Sequence, residues 1–270
     1  MVNKRRGHGF WSKFVKQAIN MLKDDGYLVF IHPPNWRNLD SNIYKTCFNL
    51  IKDRQLLYLE IHNCKDGSKT FNAGTAYDWY VLKNVKSTNY ETIIKGQDNI
   101  INKINLTEWN FIPNMMFEEI KKLMNNDVGK NLDVNRGKLN VNKYRSNYGP
   151  DKKWISKEKS EEFRYPVIYS INKNNELSLK YSNTNKNVHF GIPKFIFSNG
   201  RGFFIDEKGE YGLTQWAYCI YDDIENLQNI KKAFLSDKFK RIRDAIQLDS
   251  LLYNYRVMKL FKRDFWKEFI

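Results

Sequence analysis

No run of apolar residues in this 270-residue chain approaches the roughly 20 that a membrane-spanning helix needs; the longest stops within Tyr27 to Ile31. The basic opening, Met1 to Gly9, is followed by no apolar segment of the signal-peptide kind, so a cytoplasmic rather than secreted protein without a membrane partner is expected. Cysteine is scarce. Cys47, Cys64 and Cys219 lie far apart with no CxxC pair, which argues against a disulfide framework and a thiolate metal site, and fits free thiols in a reducing compartment. Histidine is scarce too: His8, His32, His62 and His189 have no partner at ligand or triad spacing. No Ser–His–Asp set and no carboxylate pair can be argued, and His62-Asn63-Cys64 lacks the flanks of a cysteine nucleophile.

Negative charge is also in short supply. Lys and Arg total 45 against 30 Asp and Glu, a net charge of +15. Aromatic residues make up 15% of the chain, so this is a folded protein with a core and not a basic tail. Both halves carry a surplus of cations. Such an excess points to a polyanion, nucleic acid first, although a charged surface without a ligand gives the same composition.

The first third reads as alternating helix and strand. Phe10, Phe14, Val15, Ala18, Ile19 and Leu22 recur at helical spacing, which predicts a helix over residues 10–24. Gly26 suits a left-handed cap. Tyr27 to Ile31 reads as a strand buried on both faces, stopped by His32-Pro33-Pro34. A helix near 40–53, a strand over Leu56–Ile61, a loop at Lys65–Ser68 and a strand over Ala76–Leu82 complete an α/β pattern. Thr92–Lys95 suggests an edge strand and Met115–Met124 a helix. Residues 125–160, rich in Asn, Lys, Gly and Ser, read as a long loop or junction. Short strands follow over Val167–Ile171, Leu177–Tyr181, Lys194–Phe197, Gly202–Ile205 and Ala217–Tyr221, then helices near 224–235 and 236–247.

Two runs carry a family resemblance. Leu22-Lys23-Asp24-Asp25-Gly26-Tyr27-Leu28-Val29-Phe30-Ile31-His32-Pro33-Pro34-Asn35-Trp36-Arg37 and Lys69-Thr70-Phe71-Asn72-Ala73-Gly74-Thr75-Ala76-Tyr77-Asp78-Trp79-Tyr80-Val81-Leu82 resemble late motifs of the N6-adenine DNA methyltransferases of the Eco57I restriction-modification type, including versions encoded by large DNA viruses. Weaker similarity to the family's target-recognition region lies in Lys194–Gly200, Tyr211–Gln215 and Ile230–Arg243. The resemblance implies an α/β fold: a partial Rossmann-like methyltransferase sheet over residues 1–85, a connector over 86–125, and a smaller mixed α+β target-recognition domain over 126–270.

The departures are equally informative. The family's glycine-rich donor loop and its Asn/Asp-Pro-Pro-aromatic motif belong upstream of the matching runs. Gly7-His8-Gly9 comes nearest to the loop, but no strand precedes it. His32-Pro33-Pro34-Asn35 is no substitute for the catalytic motif, because His offers no side-chain oxygen and Asn replaces the stacking aromatic. The expectation is a chain with no catalytic or cofactor-binding residues of its own, which uses S-adenosylmethionine only when a second chain supplies the donor-binding half. Its expected partner is double-stranded DNA, and a non-enzymatic DNA-binding specificity module is the alternative. Phe71 and Trp36 are the candidates to contact a target base, an assignment the resemblance implies for Phe71. Trp36 follows from the rule that open α/β sheets bind ligands at the C-terminal ends of their strands. Arg5, Arg6, Arg37, Lys143, Arg145, Arg201, Lys238, Lys240, Arg241 and Arg243 are candidate DNA contacts, with a solvated charged face as the alternative for each. Asp78, alone in an alternating strand, reads as solvated.

Overall fold

The structure, a computed structural model, describes residues 10–37, 42–124, 130–136, 153–185, 189–199, 201–214, 216–248 and 254–270. The chain divides into two units, one of residues 1–121 with 244–250, the other of 122–243 with 251–270.

The first unit opens with α1 (Trp11–Asn20), β1 (Tyr27–His32), α2 (Asn42–Lys52), β2 (Arg54–His62), α3 (Cys64–Phe71), β3 (Tyr77–Lys86), β4 (Glu91–Lys95) and β5 (Ile101–Asn105), and α4 (Phe117–Leu123) begins within it. The five strands form one mixed sheet in the order β1-β3-β2-β4-β5. β3 runs antiparallel to both β1 and β2, in register Phe30↔Tyr80 and Leu59↔Tyr80, whereas β2 and β4 are parallel. β1 and β2 therefore point the same way, with α2 as the crossover between them and β3 inserted in the gap.

One face of this sheet is well buried. Leu56, Leu59, Ile61, Tyr80, Leu82 and Ile94 are at most 2% exposed, and α1 and α2 cover them. α1 contributes Val15 and Ile19, and α2 contributes Cys47, Phe48 and Ile51. Trp11 stacks between His32 (4.9 Å) and Tyr44 (5.7 Å), which pins α1 to β1 and α2.

Several sequence expectations are corrected here. β1 is not buried on both faces: it is an edge strand whose Tyr27, Val29 and Ile31 are exposed. Its continuous apolar sequence, read as double-sided burial, instead leaves one face open. β4 is not an edge, because β5 pairs outside it. Residues 65–68 are helix, not loop. Asn63 accepts from the backbone of Lys65 and Asp66 while Asp66 accepts from the backbone of Asn63, a capping box that starts α3. After α1 the left-handed residue is Asp25 (φ 60), not Gly26.

The second unit holds two four-stranded sheets. β6 (Val134–Arg136), β10 (Lys194–Ser198), β11 (Phe203–Asp206) and β13 (Ala217–Tyr221) make one, in the order β11-β10-β13-β6. β7 (Ile155–Ser156), β8 (Tyr165–Ile171), β9 (Leu177–Ser182) and β12 (Gly212–Leu213) make the other, in the order β12-β8-β9-β7. All of β10 is buried. Phe195 and Phe197 meet Phe234 of α5 (Ile224–Leu235) at 4.6 and 5.5 Å, and Ile196 packs with Ile168, Ile171 and Leu213 of the other sheet. α6 (Asp237–Ile246), whose last turn belongs to the first unit, and α7 (Tyr255–Met258) complete the elements. No helix among the described residues is long and apolar enough to cross a membrane.

Candidate functional site

Chain segments leaving the same end of β1, β2 and β4 converge on a shallow cleft. Two cavities of about 180 and 150 Å³ share Pro34, Cys64, Ala76 and Leu248. Pro33 to Asn35 follow β1, Asn63 and Cys64 follow β2, Gln97 follows β4, and Gly74 to Ala76 lead into the antiparallel β3. This is the strand end at which open α/β sheets take ligands. Asn35, Asn63, Gln97, Asn114 and Gln247 line it, but the amides of Asn35, Asn63 and Asn114 already bond within the chain, to Tyr44, to the backbone of Lys65 and Asp66, and to Arg37 and the Asp244 and Gln247 carbonyls.

A buried polar network holds the cleft floor. Asp78 is wholly buried, which overturns its reading as a solvated side chain. Its carboxylate accepts from Arg37 Nε (2.7 Å) and Nη2 (3.1 Å) and from Trp36 Nε1 (2.7 Å). Arg37 also donates to the Ile112 carbonyl (2.9 Å) and to Asn114 Oδ1 (3.0 Å), and Asn114 in turn donates to the carbonyls of Asp244 and Gln247. His32 lies beside this network, bonded to Tyr80 (3.2 Å), and burial lowers its pKa below the ordinary imidazole value.

Trp36 and Arg37, expected to wall a base pocket and to touch DNA, are thus inside the protein at 0 and 1% exposure. The Arg-Asp pair satisfies a buried charge, and the Trp indole N–H shares the same acceptor. Alternation along β3 and the loop position of Trp36 gave no sign of this, because the partners are 41 and 42 residues apart.

Phe71 has the opposite fate. It ends α3, is 47% exposed, and rests its ring edge-on against Tyr77 at 4.9 Å. Tyr77 stacks on His62 at 4.3 Å, and its hydroxyl bonds Thr70. Phe71 therefore stands on an aromatic support, just before the Gly74–Ala76 segment that lines the cleft. A polar constellation that sequence reading missed lies beyond His62. Glu60 accepts from Lys95 (3.0 Å) and Tyr58 (2.8 Å), and His62 Nε2 lies 3.3 Å away, beside a cavity of about 160 Å³. Burial pulls the Glu60 carboxyl upward, and the bonds from Lys95 and Tyr58 outweigh it, so its pKa lies below the ordinary value. Burial and the bond to Glu60 push Tyr58 up to about 12.

In the second unit, Cys219 Sγ lies 3.6 Å from His189 Nδ1, and His189 also bonds Tyr221. Burial pushes the thiol up to about 12, so the pair holds a thiol and not a reactive thiolate at neutral pH. Among the described residues no group of three or more His, Cys, Asp or Glu side chains is arranged to hold a metal ion.

The proposed phosphate contacts separate by position. Arg201 is exposed in the turn between β10 and β11 with φ 69. Lys238, Lys240 and Arg241 are exposed on α6 and Arg243 is half-buried. Lys238 donates to the Glu268 carbonyl (3.1 Å) and Lys240 pairs with Asp237 (2.8 Å), so local groups already hold two of the four. Arg5, Arg6, Lys143 and Arg145 lie outside the described residues. A cavity of about 610 Å³ absent from the sequence reading is lined by Lys130, Lys262, Arg263, Lys267, Asp222, Asp264, Asn226 and Trp266; Arg263 pairs with Asp222 (3.4 Å) and Lys267 with Asp264 (3.0 Å).

The described architecture is a mixed α/β sheet unit with a strand-end cleft, joined in sequence to a two-sheet unit. No family model matches the chain, and no curated protein matches it in sequence. Among solved structures, the type IIG restriction endonuclease BpuSI is a distant neighbour, with 11% identity and a TM-score of 0.34 over 95% of this chain and 43% of that one. The chain thus spans less than half the length of that neighbour, and a superposition this loose fixes neither fold nor function.

Proposed function

We propose that this chain is the DNA-binding part of a site-specific adenine-N6 methyltransferase of the restriction-modification type, comprising late catalytic elements and a recognition unit. A second polypeptide supplies the donor-binding half. One observation carries the reading. The two runs that resemble the family pair strand to strand, from Tyr27↔Lys83 to His32↔Asp78, and their loops meet at one cleft with Phe71 exposed nearby. There Phe71 stacks on an adenine swung out of the duplex, and stacking of this kind is worth about 1–3 kcal/mol per base. Arg201, Arg241 and Lys262 of the second unit neutralise phosphates and position the duplex.

Among the described residues of the first unit, no glycine that follows a strand stands open for the methyl donor. A donor loop needs glycines open to a ligand after a strand. After β2, a Cβ on Gly67 would stand 1.8 Å from the Thr75 carbonyl oxygen. After β4, a Cβ on Gly96 would stand 2.8 Å from Asp98 Oδ1. Both glycines are filled by their own chain, and β1 is followed by prolines. No chemical step is therefore assigned to this chain alone. That lack also suits a non-enzymatic specificity module, which complementation with a donor-binding half distinguishes.

The test is a titration of the isolated chain. Duplex DNA should bind with an affinity that falls steeply between 50 and 200 mM salt, as counterion release requires (about 0.9 in log–log slope per neutralised phosphate). S-adenosylmethionine should show no saturable binding tighter than about 100 μM. Salt-independent or absent DNA binding overturns the reading, and tight donor binding overturns the division between two polypeptides.

A further inference from the structure

We propose that the end of the second unit where three chain turns meet is the edge that enters a groove of duplex DNA. Arg201 and Lys173 take the phosphates on either side, and Trp216 contacts base edges between them. DNA as the partner rests on the function proposed above; the choice of this end rests on charge and geometry.

Strands of both sheets run out together here. β8 leads into the turn at residues 172–176 and back along β9, β10 leads through Arg201 into β11, and Thr214 and Trp216 lie between β12 and β13. Ala217, next to Trp216, opposes Ser198, the last residue of β10, so Trp216 and the Arg201 turn stand at the same end of neighbouring strands. The Ser198 hydroxyl donates to the Ile171 carbonyl (2.8 Å), the Gly202 N–H donates to the same carbonyl (3.3 Å), and the Phe203 N–H donates to Asn175 Oδ1 (3.0 Å). Gly202 lies so close to the neighbouring turn that a Cβ there would stand 1.9 Å from the Asn172 carbonyl oxygen. The Thr214 N–H donates to the Ile168 carbonyl (3.0 Å), which ties the third segment to β8. A surface locked in this way loses little freedom when it binds.

The charges at this end are open to a ligand. Arg201 and Lys173 are exposed, and neither has a hydrogen-bond or ion-pair partner among the described residues. Lys240, by contrast, is held by Asp237, and Arg263 and Lys267 are held by Asp222 and Asp264. The one carboxylate among the described residues of the three segments, Glu176, accepts from Asn172 (2.7 Å). At the opposite end of β11 the loop carries Glu207 and Glu210 around Lys208, and Lys194 is buried against Asp206. The turn end leads with unpaired cations, which draw a polyanion. Arg201 adds a conformational argument. Its φ of 69 lies in the left-handed region, which glycine enters freely and arginine at a cost. Strain of this kind gathers at binding sites. Trp216, 36% exposed, adds an apolar ring with an N–H donor, and a major groove about 12 Å wide admits a two-stranded ribbon such as β10–β11.

The full chain is titrated with random-sequence duplexes over a range of salt, and the duplexes retained in a selection are sequenced. Arg201→Gly and Lys173→Ala should each lower the log–log salt slope by about 0.9 without changing the sequences recovered, whereas Lys240→Ala on α6 should leave the slope as it is. Trp216→Ala should flatten the recovered sequence preference and leave the slope unchanged. Glycine suits the left-handed backbone at position 201 and Lys173 is exposed, so both cation variants should keep the parent's melting temperature. They decide the matter even if Trp216→Ala fails to fold. A slope unmoved by Arg201→Gly and Lys173→Ala, or lowered equally by Lys240→Ala, overturns the assignment of this end while DNA binding itself stands. A parent without sequence preference, or a folded Trp216→Ala variant that keeps the parent's preference, overturns the base contact. No duplex binding by the parent at any salt overturns the function proposed above, and this assignment with it.

Discussion

Asp78 shows how much one residue can decide in this fold. Its carboxylate receives Arg37 and Trp36 at full burial, and through Arg37 it ties the loop after β1 to the Ile112 carbonyl and to Asn114. Removing either charge strands the other away from water, which costs about 3–5 kcal/mol. Asp78→Ala and Arg37→Ala should each lower unfolding free energy by that amount in denaturant titrations, and the double variant should cost clearly less than their sum. Additive losses would mean that the pair is not coupled as the geometry shows. At this scale the sequence was only partly legible. Phe71, singled out by the family resemblance of its run, is exposed at the end of α3. Trp36, Arg37 and Asp78 were misread because a buried ion pair joins residues distant in the chain, and neither period nor composition reports it. The Glu60–Lys95–His62 constellation was missed for the same reason: β4 delivers its lysine from 35 residues away.

Helix α3 and the segment after it illustrate the element scale. The Asn63 capping box starts the helix, and Gly67 on it gives way to the Thr75 carbonyl oxygen, so the loop that leads into the cleft closes directly onto the helix. Helix propensity alone favours alanine over glycine by about 1 kcal/mol. Gly67→Ala should nevertheless destabilise the protein, because the new methyl group collides with backbone that cannot rotate away. A denaturation midpoint that rises instead would place that loop elsewhere. Most helices and strands were legible from apolar spacing, since periods of 3.6 and 2 survive in any context. α3 was not, because Lys65-Asp66-Gly67-Ser68 has the composition of a turn and only the Asn63/Asp66 reciprocity marks it as a helix start. β1 was recognised as a strand but given the wrong surroundings. A run of apolar residues states that a strand seeks cover on both sides, and it does not state which chain provides the cover.

For the whole molecule, charge and architecture make complementary demands. A net charge of +15 opposes self-association and suits the polyanion proposed above, while among the described residues the first unit leaves one sheet face partly exposed. Composition made the charge excess legible; the 610 Å³ cavity was hidden, because its lysines and arginine come from residue 130 and residues 262–267. The measurement that bears most directly on the account compares two duplexes at one salt concentration, identical except that one carries an unpaired, bulged adenine. Extrusion is cheaper for an unpaired base, so the chain should bind the bulged duplex more tightly, and Phe71→Ala should abolish that preference, at a loss of about 1–3 kcal/mol, while leaving affinity for the plain duplex unchanged. Equal affinity for the two duplexes, or a preference that survives Phe71→Ala, would contradict the assignment of the strand-end cleft to a flipped adenine.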